Sequence, residues 1–188
     1  MKLKSVSIIQ GGMGVYASTP FLAREVSCNG GLGTTSGVCA DRILAHILQK
    51  GDLGGHYRRA LEHFPFPEIA ERVISTYYVS GGISPNTSYK VVPVFSTCSK
   101  RNLIELTICA NFAFVWLSKE GHHNPVSINY LEKVRLPHLF SFVGAMLAGV
   151  DCITMGAGLP LWVPAVLDSF SQGKAVAQHF PVESHIPG

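Results

Sequence analysis

The fold class is decided by the stretch Val126-Ser127-Ile128-Asn129 and, after a helical segment, by Val150-Asp151-Cys152-Ile153-Thr154-Met155-Gly156-Ala157-Gly158. Both apolar runs have the length and composition of short buried strands, and the second ends in a glycine turn. Between them, the apolar residues of 139–147 follow helical spacing, and Gly149 marks the predicted end of this helix. A strand, a helix and a second strand in this order predict a parallel α/β unit.

The same alternation extends toward the amino terminus. Val6–Gln10 and Gly31–Thr35 are predicted as strands, which brings the total to about four. We expect a single domain, with a mostly helical insertion at 37–125 between strands 2 and 3 and an irregular tail at 174–188. The architecture is then either an open doubly wound sheet or a (β/α)₈ barrel. Helices are expected after the cap Ser18-Thr19-Pro20 and over Asp41–Lys50, His56–His63, Pro67–Tyr77, Ser99–Glu120, 139–147 and 163–170.

The amino-acid composition disfavours several classes of protein. The chain has 188 residues, 47% of them hydrophobic and 14% charged, with a net charge of +3. That balance fits a packed globular body and offers no basic patch for nucleic acid. The five cysteines are odd in number and contain no C-x-x-C, so we expect neither a disulfide framework nor a zinc ribbon, and a cytoplasmic location. Leu139–Val150 is too short to cross a bilayer, which takes about 20 residues.

Glycines follow three of the predicted strands. Gly12-x-Gly14-x-x-Ala17 fits the loose dinucleotide fingerprint, but no acidic residue stands at the end of the second strand, so NAD binding is disfavoured. Gly31-x-Gly33 and Gly156-x-Gly158 repeat the pattern of small residues. Glycines at strand ends allow a flat or phosphorylated ligand to approach the backbone, although ordinary turns would also use them.

Other reactive side chains give weaker signals. The pairs His122-His123 and His56…His63 have no acidic or cysteine neighbour at ligand spacing, so no metal site is predicted. Cys109 and Cys152 lie in apolar surroundings that disfavour a thiolate nucleophile. Asn129 is more informative, because a polar amide at the end of a buried strand needs hydrogen-bond partners.

Six motifs follow one another in order through most of 6–170. They are Ile8-Ile9-Gln10-Gly11-Gly12-Met13-Gly14-Val15, Gly30–Gly37, Gly54–Leu61, Val126–Leu131, Ala145–Asp151 and Met155–Pro160. Together they resemble the amino-terminal part of the nitronate monooxygenase family (2-nitropropane dioxygenase-like), whose members fold as FMN-binding (β/α)₈ TIM barrels.

The resemblance implies a cofactor, a reaction and a set of residues. The cofactor is FMN, and the activity is oxidation of alkyl nitronates by O₂ to a carbonyl compound and nitrite. A flavin-dependent enoyl reductase, acting on acyl thioesters, is the alternative enzyme. A non-catalytic half barrel is the alternative outside enzymes. The substrate would be a small nitronate, organic acid or thioester. The cofactor-binding residues implied are Gln10, Gly11, Gly12, Met13, Asn129 and Gly156.

The sequence also departs from the family pattern. The family's catalytic histidine lies in a Gly-Gly-His motif after the fourth strand, whereas Gly54-Gly55-His56 lies in the insertion, so we do not assign that role to His56. The catalytic residues are therefore expected beyond residue 188. A complete barrel takes about 250 residues. We accordingly expect the first half of a barrel, with an open sheet edge after Val150–Met155 through which a homodimer could form.

Overall fold

The computed structural model describes residues 6–178 and 180, which form an α/β structure. In this part of the chain, seven helices accompany a three-stranded sheet. The strands are β1 (Gly33–Ser36), β2 (Val126–Leu131) and β3 (Cys152–Gly156). The helices are α1 (Pro20–Cys28), α2 (Ala40–Gln49), α3 (His56–Glu62), α4 (Pro67–Tyr77), α5 (Arg101–Lys119), α6 (His138–Leu147) and α7 (Val163–Ser171).

The sheet is parallel and its strands lie in sequence order, β1-β2-β3. Thr35 is in register with Ile128, and Ile128 with Ile153. The prediction of a TIM barrel, or of its first half with about four strands, is wrong. The strands paired within 6–178 form an open sheet of three, whereas a barrel must close eight strands on themselves. Parallel pairing and helical crossovers, which the alternation of elements predicted, are confirmed.

The first predicted strand, Val6–Gln10, is reduced to one bridge between Ile9 and Leu32. Leu32 N–H donates to the Ile8 carbonyl (2.9 Å), and Gln10 N–H donates to the Leu32 carbonyl (3.0 Å). The chain then turns away at Gly11. Because the Ile8 and Ile9 side chains are 68% and 65% exposed, burial adds little to hold a longer strand in place.

Helix boundaries follow the capping and stop signals closely. The Thr19 hydroxyl accepts the N–H of Leu22 (3.1 Å) ahead of Pro20, as a hydroxyl cap with proline in the first turn should. Helix α4 has the predicted bounds, and α2, α3, α5 and α6 differ from their predictions by one or two residues.

Helix α5 lies between two hydrophobic clusters. On one side Phe114, wholly buried, packs with helices α2, α3 and α4 of the 37–125 region. On the other side Val115 packs with Ile128 and Phe142, from the sheet and α6. The predicted insertion is thus largely helical and shares its core with the rest of the chain. Of the predicted tail, 174–178 is irregular, while 179 and 181–188 lie outside the described residues.

No helix in the described part of the chain is both long and apolar enough to cross a membrane.

Ser27 joins α1 to two strands. Its hydroxyl accepts the N–H of Gly33 (3.0 Å) and donates to the carbonyl of Pro125 (2.8 Å), just before β2. This close approach requires glycine at position 33, since a Cβ there would lie 1.8 Å from the Ala23 carbonyl oxygen.

We therefore expect Gly33→Ala to lower the free energy of unfolding by about 3 kcal/mol, because the backbone of α1 must move to relieve the contact. Urea denaturation followed by circular dichroism measures this change. Gly11→Ala is the matched control: a Cβ at Gly11 meets nothing within 4 Å, so its stability should change by less than about 0.5 kcal/mol. Equal stabilities for the two variants would contradict the packing of α1 on β1.

Candidate functional site

The sheet has one apolar and one polar face. Ile128 and Tyr130 point toward the helices and are buried there. The alternate residues form the opposite side, which we call the polar face: Thr34, Ser36, Ser127, Asn129 and Thr154. Because ligands of parallel α/β proteins bind at the carboxyl ends of strands, a polar face there is a candidate site.

The loop after Ile9 covers part of the polar face at Gly12. A Cβ on Gly12 would lie 2.2 Å from the Cβ of Asn129 and 2.9 Å from Cγ2 of Thr34. The space that a side chain would need is therefore occupied by the protein. Gly12 serves the packing of the loop on the sheet, which is a different reason for glycine from the ligand approach that the sequence suggested.

Gln10 ties the same loop to β1. Its Oε1 accepts the N–H of Thr34 (3.2 Å), while its Nε2 is buried without a hydrogen-bond partner among the described residues. The Thr34 hydroxyl is likewise buried and unpartnered there. Buried polar groups are normally satisfied, so these two atoms mark a point where hydrogen-bond partners are missing among the described residues.

The other residues singled out in the sequence lie at more open positions. Gly11 is exposed, and its carbonyl accepts the Ser18 hydroxyl (3.3 Å). Met13 donates its N–H to the same hydroxyl (2.9 Å), and its side chain is 63% exposed. Gly156 ends β3 with nothing within 4 Å of a Cβ. The structure thus brings Gln10, Gly12 and Asn129 together, and places Gly11, Met13 and Gly156 where backbone or side chain is accessible.

A second feature was missed by the sequence reasoning. A cavity of about 580 Å³ opens where the chain leaves β1 and β2, between α2, α5 and α6. It contains none of the residues implied by the resemblance. The sequence feature that could have indicated this cavity is the pair of basic residues Arg42 and Lys133, each of which follows a strand by a few residues. The lining includes Gly37, Arg42, Val94, Asn111, Lys133 and Val134.

The cysteines and histidines show no reactive centre within the described residues. Burial raises the pKa of the Cys109 thiol to about 12, which keeps it protonated. His56 stands at the start of α3 against the ring of Phe21, with its Nδ1 3.2 Å from Nη2 of Arg59. No group of three potential metal ligands occurs in the part of the chain that the structure describes.

His138 is the most perturbed histidine. It is only 2% exposed and is stacked on Phe142 and Trp162 at the start of α6. Burial lowers the pKa of its imidazole to about 4, against smaller opposing effects of the Leu131 backbone and of the nearby Glu132 carboxylate. A neutral, buried imidazole fits a structural role in this aromatic cluster.

A scan against protein-family models finds no match to the chain, and searches of curated proteins and of solved structures find no significant match either.

Because Gly12 contacts Asn129, substitutions at these two positions should have coupled effects on stability. Gly12→Ala should lower the free energy of unfolding by about 1–3 kcal/mol, because the new methyl group meets the Asn129 side chain. In an Asn129→Gly background, that cost should fall by about 1 kcal/mol or more. Denaturation of the wild type, both single variants and the double variant measures the coupling. Strictly additive effects would show that the loop does not rest on Asn129.

His138 predicts a pH dependence of stability. The unfolded imidazole, with a pKa near 6.5, binds a proton more tightly than the folded one, so stability falls as pH drops from about 6.5 toward 4. Between about pH 7.5 and pH 4.5, the wild type should lose about 2–3 kcal/mol more than His138→Phe, which cannot be protonated. Urea denaturation at a series of pH values tests this. Parallel pH profiles would refute it.

Proposed function

We propose that this chain binds FMN at the polar face and acts as part of a flavin-dependent oxidoreductase of the nitronate monooxygenase type. The observation that carries the proposal is the meeting of Gln10, Gly12 and Asn129 toward the carboxyl ends of the strands. The sequence motifs that resemble the family contain all three residues. Their convergence from two separate segments supports a shared site.

The hydrogen-bonding groups of this region suit a flat ring with acceptors along one edge, such as isoalloxazine. Gln10 Nε2 is a buried donor without a partner among the described residues. Asn129 is half-buried, and its side chain lies directly beside Gly12. Gly11 leaves open space in which a ring could approach the backbone. The residues present therefore fit the isoalloxazine ring of FMN.

In this proposal the chain binds and orients, and FMN supplies the electron chemistry when bound. Gln10 and Asn129 would donate hydrogen bonds that hold the ring in place. Met13, whose side chain is exposed next to Gly12, would cover part of an apolar ring face. Donors held in fixed positions would favour negative charge on the ring.

Fluorescence titration of FMN tests the site. Wild type should quench FMN fluorescence saturably, and Gln10→Leu should bind at least about tenfold more weakly, because one charge-stabilising donor is lost. Gly11→Val should weaken binding similarly while leaving the far-ultraviolet circular dichroism unchanged, since no protein atom opposes a side chain there. Gln172→Leu, at the exposed end of α7, is the matched control and should bind normally.

Absence of saturable binding by the wild type would overturn the proposal, and so would equal affinities for all four proteins. If FMN binds, anaerobic mixing with propane-2-nitronate should bleach the bound flavin. Bleaching by NADPH instead of the nitronate would point to an enoyl reductase and refute the nitronate assignment.

A further inference from the structure

The cavity beside the carboxyl ends of β1 and β2 carries a separate inference. Its volume of about 580 Å³ lies within the range of small-molecule sites. It contains neither Gln10, Gly12 nor Asn129, and it lies among α2, α5 and α6. Helices α5 and α6 pack on the apolar side of the sheet, and α2 packs against α5. A ligand of this cavity would therefore bind at a different place from the proposed flavin.

The interior of the cavity is suited to an apolar part of a ligand. Thr107 and Asn111, both buried on α5, line it, but their hydrogen bonds are already made within the protein. The Thr107 hydroxyl donates to Leu103 O (2.9 Å), and the Asn111 amide donates to Thr107 O (2.8 Å) and accepts the Tyr130 hydroxyl (2.8 Å). A ligand group reaching these residues need not be polar, and burying it there removes apolar surface from water.

The mouth of the cavity combines exposed apolar side chains with positive charge. Val94 is 79% exposed and Val134 47% exposed, although both are large aliphatic residues. Exposed aliphatic residues around a concave opening are typical of ligand sites. Arg42 and Lys133 lie at the same opening, and both are exposed.

The charges at the mouth favour an anion. Arg135 also lines the cavity but is paired with Glu132. Arg42 and Lys133 form no ion pair with any residue that the structure describes. Asp41 is the acidic residue in the lining; burial raises the pKa of its carboxyl, and the neighbouring Arg42 opposes that shift. One carboxylate against Arg42 and Lys133 leaves the mouth with a net positive charge.

We propose that this cavity binds an amphipathic carboxylate, with the apolar chain inside against α5 and the carboxylate at the mouth between Arg42 and Lys133. Arginine and lysine both bind carboxylates through charge-assisted hydrogen bonds. The arrangement of apolar interior and cationic rim is complementary to a medium-chain fatty acid.

Isothermal titration calorimetry with sodium decanoate tests the proposal. Decanoate should bind saturably with one site, about tenfold or more tighter than butanoate, since each buried methylene adds affinity. Decyltrimethylammonium, which has the same chain length and the opposite charge, should bind at least about tenfold more weakly than decanoate.

Two double variants, each of which removes two positive charges, distinguish binding at the cavity mouth from a general effect of net charge. Arg42→Gln/Lys133→Gln should bind decanoate about tenfold more weakly, whereas Lys50→Gln/Lys174→Gln, at exposed positions outside the cavity, should bind it as the wild type does. All four residues are at the surface, and circular dichroism should be unchanged in both variants.

Equal loss in both double variants would show a non-specific charge effect and overturn the proposal. Binding that is unchanged in both, or absent in the wild type, would also overturn it. FMN titration should be the same for the wild type and for Arg42→Gln/Lys133→Gln, so failure of the flavin proposal and failure of this one are distinguishable.

Discussion

Burial of α5 on nearly all sides is the constraint on which the other elements depend. Helix α5 runs between the helices of the 37–125 region and the sheet with α6, so it belongs to both hydrophobic clusters. A helix in that position cannot be amphipathic, because each of its sides faces protein. Three of its buried polar residues make hydrogen bonds within the helix: Thr107, Asn111 and Ser118 each donate to the carbonyl four residues earlier.

The position of α5 also separates the two candidate sites. The helix packs on the apolar face of the sheet and supplies the inner wall of the cavity through Thr107 and Asn111. The polar face on the other side of the sheet is covered instead by the loop that carries Gln10 and Gly12. A ligand of the cavity would contact the segments that follow β1 and β2, whereas a ligand at the polar face would contact the strands themselves. The Tyr130 hydroxyl, bonded to Asn111, directly connects the sheet to the cavity wall.

The helices could be predicted from the sequence because their signals are local. Thr19-Pro20, the periodic residues of α4 and the glycine after α6 all act within a few residues of the boundary they set. The number of strands and the closure of the sheet could not be predicted in this way. Val6–Gln10 has the composition of a strand, but only Ile9 forms a bridge, since pairing depends on a partner distant in sequence and on burial that this segment lacks.

The same distinction between local and long-range signals applies to the candidate sites. Residue type and position at a strand end were enough to select Asn129, and the family resemblance added Gln10, whose loop does lie against Asn129. The cavity was missed because its lining comes from short pieces of α2, α5, α6 and three connecting segments, and no single piece has a recognisable pattern. Long-range packing, which a single sequence does not display, brings Arg42 and Lys133 to one opening.

The contact between Gly12 and Asn129 changes what evolutionary comparison could reveal about this chain. With 2.2 Å between the Asn129 Cβ and the place where a Cβ of residue 12 would stand, selection for folding alone would keep glycine there. Invariance of Gly12 among relatives would consequently say nothing about a cofactor. Gly11 and Gly156, which no neighbour obliges to lack a side chain, are the positions whose retention would carry information about a ligand.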